Sequence, residues 1–129
     1  VKGARLQISS LDFNQKTLEV YAGPEYHLLK KAQKKILEES TFTLSELNNR
    51  MAYQLNEKLP HQLPQIWTAP VLPGTVQCTP DGSLIILMRD AQVTGGYPRL
   101  FQLTDGALHQ LAQKKTHEKI QFKILTSIE

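Results

Sequence analysis

The sequence predicts a mainly β fold, a closed or nearly closed β-barrel carrying one or two helices at its ends. Three observations predict it. Short stretches of alternating apolar and polar residues recur along the chain, among them TLEVYA, GTVQC, RLFQL and KIQFKIL. Turn residues separate them, TPDG and the glycine pair of VTGGYP above all. Helical spacing is confined to two segments. At 129 residues the chain holds one domain with a real core and is too short for two comfortable ones. A single barrel over 1–129 is expected, with 1–16 as a leading segment or linker, and the start at Val1 without methionine suggests a piece of a longer chain.

Taken in order, KTLEVYAG reads as a strand in which Leu18, Val20 and Ala22 alternate with Thr17, Glu19 and Tyr21. GPEYHLLKKAQKKILEES reads as one helix, with Pro24 at its first position, Glu25 favouring the dipole, and Leu29, Ala32 and Ile36, flanked by Leu28 and Leu37, as the apolar stripe. TFTL and MAYQL read as short strands on either side of the polar SELNNR. Four prolines between Leu59 and Pro73 predict a long ordered loop, with Trp67 pinning it to the core. GTVQC, SLIILM and RLFQL are strands, the first two joined by a TPDG turn. TDGALHQLAQ is a short helix capped by Thr104 or Asp105, and KIQFKIL closes the pattern with Ile120, Phe122 and Ile124 on one face.

Composition excludes more than it assigns. Hydrophobic content of 40% and charged content of 21% are ordinary for a soluble domain. The net charge is only +3, and the Lys30, Lys31, Lys34 and Lys35 cluster reads as the solvated face of a helix without interleaved aromatics, so no nucleic-acid partner is expected. Cys78 is the only cysteine, which forbids an intrachain disulfide and fits a reducing cytoplasm. It has no base nearby in sequence, so a nucleophilic role is not expected. The four histidines are scattered, so no metal site is expected. Apolar runs fall far short of the ~20 residues of a membrane span, and no membrane partner is expected. Phosphate-binding GxxxxGK[ST], GxGxxG and GxSxG motifs do not occur.

Three polar segments resist explanation as packing: NNRMAY, LPGTVQCTPDG and MRDAQVTGGYP. In the last, Arg89, Asp90, Gln92 and Thr94 crowd the end of an apolar strand, as polar groups do at the mouth of a ligand cleft. A structural reading stands beside it. Gly95 and Gly96 then form a bulge or a reversal with positive φ, Pro98 starts a strand, and Asp90 pairs with Arg89 or Arg50. Likewise Ser45, Asn48 and Asn49 serve as turn formers, and Gln77 simply faces solvent. Residue patterns alone name no reaction.

LPGTVQCTPDGSLIILMRDAQVTGGYPRL resembles the allophanate hydrolase subunit 2 family, which includes KipA, the C subunit of ATP-dependent 5-oxoprolinase and the carboxyltransferase region of urea carboxylase. Pro73, Gly74, Gln77, Pro80, Asp81, Gly82, Ile85, Leu87, Asp90, Gln92, Thr94, Gly95, Gly96, Tyr97 and Pro98 fit its pattern. Upstream, Gly23 and Pro24 match, as do Arg50, Met51, Tyr53 and Leu55, whereas Asn49 replaces an aspartate, Ala52 a glycine and Gln54 an arginine. The resemblance spans Leu18 to about Leu125.

It implies a cyclophilin-like barrel forming the C-terminal part of a longer subunit. It implies ATP-dependent opening of the cyclic amide 5-oxoproline in the bacterial cytoplasm, with a first-type (KipI-like) barrel subunit and a hydrolase subunit as partners. A homo-oligomer remains open. Asp90 and Arg50 are the expected catalytic residues, Asp90 as acid or base. Gln77, Gln92, Thr94, Gly95, Gly96 and Tyr97 are the expected substrate- or nucleotide-binding residues, with backbone N–H groups at the glycines holding a phosphate or oxyanion, and Tyr97 a wall. The alternatives are carboxyl transfer to urea and a non-catalytic module that binds a kinase-inhibiting partner.

Overall fold

The computed structural model describes residues 16–125. Seven strands close into a barrel: β1 (Thr17–Ala22), β2 (Phe42–Asn48), β3 (Ala52–Leu55), β5 (Thr75–Cys78), β6 (Leu84–Leu87), β8 (Arg99–Leu103) and β9 (Lys119–Ile124). Around the barrel the order is β1-β8-β5-β6-β3-β2-β9, and β9 returns to β1. Every pairing is antiparallel except β1 with β9, where Leu18 lies beside Phe122 and Val20 beside Ile124. Two further strands of two residues each, β4 (Ala69–Pro70) and β7 (Thr94–Gly95), form a separate ribbon. The helices are α1 (Lys31–Glu39) and α2 (Asp105–Ala112).

Strand alternation does what it predicts. Leu18, Val20, Leu44, Val76, Cys78, Leu84, Ile86, Phe101, Ile120 and Phe122 point into one buried cluster, and removing such apolar surface from water is the main stabilising term. Phe101 is its centre: its ring lies 5.6 Å from that of Tyr26 and 5.1 Å from that of Phe122. Thr104 caps α2 by accepting from the Ala107 N–H at 3.1 Å. At the TPDG turn the Gly82 N–H bonds the Thr79 carbonyl, and Gly82 takes φ +89°, a backbone only glycine adopts cheaply.

Two expectations are corrected. The helix expected from Pro24 to Ser40 is broken: a single 3-10 turn spans Tyr26–Leu28, the chain is extended at Leu29 and Lys30, and α1 begins only at Lys31. Two interactions force the break. Tyr26 is drawn onto Phe101, and the Gln33 side chain takes the Lys30 N–H at 2.8 Å, capping a new helix start. Of the expected stripe, Leu29 and Leu37 are buried, while Ala32, Ile36 and Leu28 stay exposed. Nor does Trp67 anchor the proline-rich loop, for its side chain is 93% exposed. Val71 and Leu59 are buried from that segment instead.

Glu25, expected to serve a helix dipole, instead makes a two-pronged ion pair with Arg99. Arg99 Nε and Nη2 donate to the two carboxylate oxygens at 2.9 and 2.8 Å, and the Arg99 backbone N–H adds a third bond. Arg99 Nη1 also reaches the Pro70 carbonyl at 3.0 Å, so one guanidinium ties β1's exit, β8 and the ribbon together. Arg99's hydrogen bonds hold the Glu25 carboxyl below its ordinary range.

Cys78 lies wholly inside the barrel, and burial, helped by the Asp81 charge, pushes its thiol up to about 12. The native protein is therefore expected to resist thiol reagents and to react once denaturant opens the barrel. Stoichiometric labelling without denaturant would show that β5 is not closed in solution.

Candidate functional site: a cleft beside the second helix

The chain on either side of the β2–β3 turn and the chain after β6 meet at the barrel end where α2 lies. Asn49, Arg50, Tyr53, Met88, Arg89, Asp90, Leu108 and Ala112 line a cleft of about 420 Å³ there. Met88 and Leu108 are buried and give it an apolar floor. Asn49, Arg50, Arg89 and Asp90 are exposed and give it a polar rim. An apolar floor with a few placed polar groups is the usual composition of a small-molecule site.

Local backbone chemistry sets this rim. Asn49 Oδ1 accepts from the N–H groups of Met51 and Ala52 at 2.8 and 3.2 Å, closing the turn between β2 and β3. Ser45 and Asn48 are turn formers too: Ser45 Oγ accepts from the Leu47 N–H, and Asn48 Nδ2 donates to the Ser45 carbonyl. Beyond β6, the Met88 and Asp90 N–H groups bond the carbonyls of Met51 and Arg50, while Ala91 N–H turns back to Met88 O. That register sets Arg50 Nε 3.0 Å from Asp90 Oδ2. Of the two arginines open to Asp90, Arg50 is thus its partner, and Arg89 has no ion pair among the described residues. Asn49 in place of aspartate keeps the turn, since one oxygen suffices for both N–H groups. It removes a negative charge from the rim, which with Arg50, Arg89 and Asp90 carries a net charge of one positive.

Of the eight residues expected in the site, the cleft gathers two, Asp90 and Arg50. Gln92 and Thr94 are exposed along the chain leading away from it. Gly95 sits in β7, Gly96 follows it, and Tyr97 is half-buried. Neither glycine takes a positive φ, so they form neither the reversal considered from the sequence nor the alternating backbone of an anion nest. Nothing in the cleft forms a nucleotide cradle either. Gln77 does not face solvent. It is 2% exposed on the outer side of β5, covered by the ribbon, and a Cβ on Gly95 would stand 2.5 Å from its Nε2. The glycine exists for that close approach. Leu108 and Ala112 are additions the sequence did not flag for a site: their helical spacing announced only packing. Asp81 is a turn residue, bonded by Thr79, Ser83 and Lys58, which hold its carboxyl well below the usual range.

Residues 4–124 match the carboxyltransferase domain family, subdomains A and B. The chain belongs to that family. Its carboxyltransferase-domain sequence is 36% identical over 102 residues to the C subunit of Escherichia coli 5-oxoprolinase, covering 78% of this chain and 33% of the relative. The Haemophilus influenzae protein of the same name is 33% identical over 104 residues, 79% of this chain and 34% of that one. The chain thus spans about a third of the length of the curated relatives it matches. The crystal structure of Kluyveromyces lactis urea carboxylase superposes with a TM-score of 0.74 at 16% identity, over 85% of this chain and 11% of that one. At that identity it supports the carboxyltransferase-domain fold alone. No helix among the described residues is long and apolar enough to cross a membrane.

Proposed function

We propose that this carboxyltransferase domain is part of the C subunit of a 5-oxoprolinase and contributes to ATP-dependent opening of the cyclic amide of 5-oxoproline, together with a first-type barrel subunit and a hydrolase subunit. The reading is carried by 36% identity to the C subunit of a 5-oxoprolinase across most of the chain. The cleft suits it chemically. 5-Oxoproline pairs a carboxylate with a small lactam ring. A rim of net positive charge takes the first, and the floor of Met88 and Leu108 takes the second. Arg50 commits its Nε to Asp90 and keeps its Nη groups for a ligand carboxylate. Asp90, as the anionic half of that pair, is an acceptor: it receives a proton or a hydrogen bond from the lactam N–H or from the attacking water. ATP supplies the driving force for opening the amide. No residue of this chain is assigned to hold the nucleotide.

The test uses the full-length subunit assembled with its partner subunits. Asp90→Asn is expected to lower 5-oxoproline-dependent ATP hydrolysis by about 10²–10⁴-fold, the usual contribution of a positioned acid or base. Thermal stability should barely change, because an exposed ion pair contributes about 0–1 kcal/mol. Full activity in this variant would remove Asp90 from the site. Turnover that follows urea instead of 5-oxoproline would replace the reading with carboxyl transfer.

A further inference from the structure

Gln77 is the one buried side chain among the described residues whose polar nitrogen has no hydrogen-bond partner: Nε2 is enclosed and bonded to nothing. Buried amide N–H groups are nearly always paired, and an unpaired one is a standing penalty on the fold. An apolar side chain of the same length would fill this place without it. What encloses the amide is slight. The β4–β7 ribbon pairs only Ala69 with Gly95 and Pro70 with Thr94, extended by single bonds from Val71 to Val93 and from Ile66 to Gly96. It lies across β5 with Val71 and the bare backbone of Gly95 against the Gln77 amide, while Trp67, Leu72 and Val93 on its flanks remain largely exposed. Arg99 Nη1 to the Pro70 carbonyl ties it to the barrel through a side chain, not through a strand ladder.

We infer that the β4–β7 ribbon is a movable cover over β5, and that Gln77 beneath it is a binding residue whose carboxamide N–H groups take a carbonyl or carboxylate oxygen of a small ligand when the cover lifts. The closed form carries an unpaired donor, the lifted or liganded form satisfies it, and the gap between the two states shrinks accordingly. Gly95 fits both states, since it lets the closed ribbon lie flat on the amide. The place is separate from the Arg50–Asp90 cleft, which contains neither Gln77 nor any ribbon residue. That the ligand is 5-oxoproline rests on the function proposed above; the movement of the cover does not.

Thiol accessibility tests the movement. With Cys78 replaced by alanine, a Q77C substitution places the only thiol under the ribbon. It is expected to label under native conditions at least about tenfold faster than Cys78 of the unaltered protein, whose exposure requires the barrel to open. Adding Gly95→Ala, whose Cβ crowds the same spot, should speed it further. Labelling of Q77C no faster than that of Cys78 would overturn the cover. Gln77→Met tests the ligand role in the assembled full-length subunit. Its Tm should rise by a few degrees as the unpaired donor disappears, while the KM for 5-oxoproline should rise about tenfold or more. A raised or lowered Tm with an unchanged KM would remove Gln77 from binding. If the unaltered assembly shows no 5-oxoproline turnover, the proposed function fails, and the labelling rates still decide the cover.

Discussion

Phe101→Ala is expected to lower stability by about 3–5 kcal/mol, the range for truncating a fully buried aromatic. The loss is large because the ring joins parts that meet nowhere else in sequence. Its edges contact Tyr26 of the 3-10 turn and Phe122 of β9, and its strand pairs with both β1 and β5. A cavity here has walls from four elements, so no single one can relax into it. Against the ~5–15 kcal/mol that holds a typical domain together, this change should bring the fold near its threshold. Phe101→Leu, which keeps most of the volume, should cost about 1.5 kcal/mol or less. Urea unfolding of the two variants decides it. Equal midpoints would mean that ring packing at this point contributes little.

Glu25→Gln carries the second large effect. It leaves the guanidinium of Arg99 without its anion in a place where both side chains are largely shielded, 17% and 13% exposed. Breaking a fully buried pair from one side costs about 3–5 kcal/mol, and partial exposure here brings the expectation to about 2 kcal/mol. Its pH dependence has a definite sign. Arg99's hydrogen bonds depress the folded carboxyl below the ordinary glutamate value of 4.5, so the stabilisation is complete above that value and disappears as the pH falls through the folded one. The unaltered protein and the variant should therefore differ most at neutral pH and converge in acid. A difference independent of pH would show that the loss comes from packing and not from charge.

What the sequence disclosed and what it withheld divide along a physical line. Strands announced themselves wherever one face is buried and the next solvated, as in Leu18 and Val20 of β1 or Ile120 and Phe122 of β9, because a period of two is visible within six residues. Turn and cap chemistry was equally local: Gly82 in TPDG, Thr104 before α2, Asn49 at the β2–β3 turn. The misreadings all concern partners far away. The helix expected from Pro24 looks continuous until Phe101 claims Tyr26. Glu25 reads as a first-turn acid until Arg99, 74 residues on, arrives beside it. Trp67 is apolar enough to anchor a loop, yet nothing in its neighbourhood says which side of the ribbon it occupies. Gln77 could not be known as buried, since its cover comes from Val71 and Gly95. At the site, the pairing of Arg50 with Asp90 was among the readings available, and the apolar floor from α2 was not.

The parallel pairing of β1 and β9 has a consequence for how the molecule is made. β9 fills the gap between β1 and β2, two strands that leave the ribosome long before it. Until β9 arrives, a nascent chain holds six barrel strands with two open edges, the arrangement most prone to pair with a neighbouring chain. At synthesis rates of about 5–20 residues per second, that exposed interval lasts seconds. Lys119 and Lys123, charged and outward on the arriving strand, do nothing to shorten it. Production of this domain should therefore depend on chaperone capacity and translation speed more steeply than its finished stability would suggest.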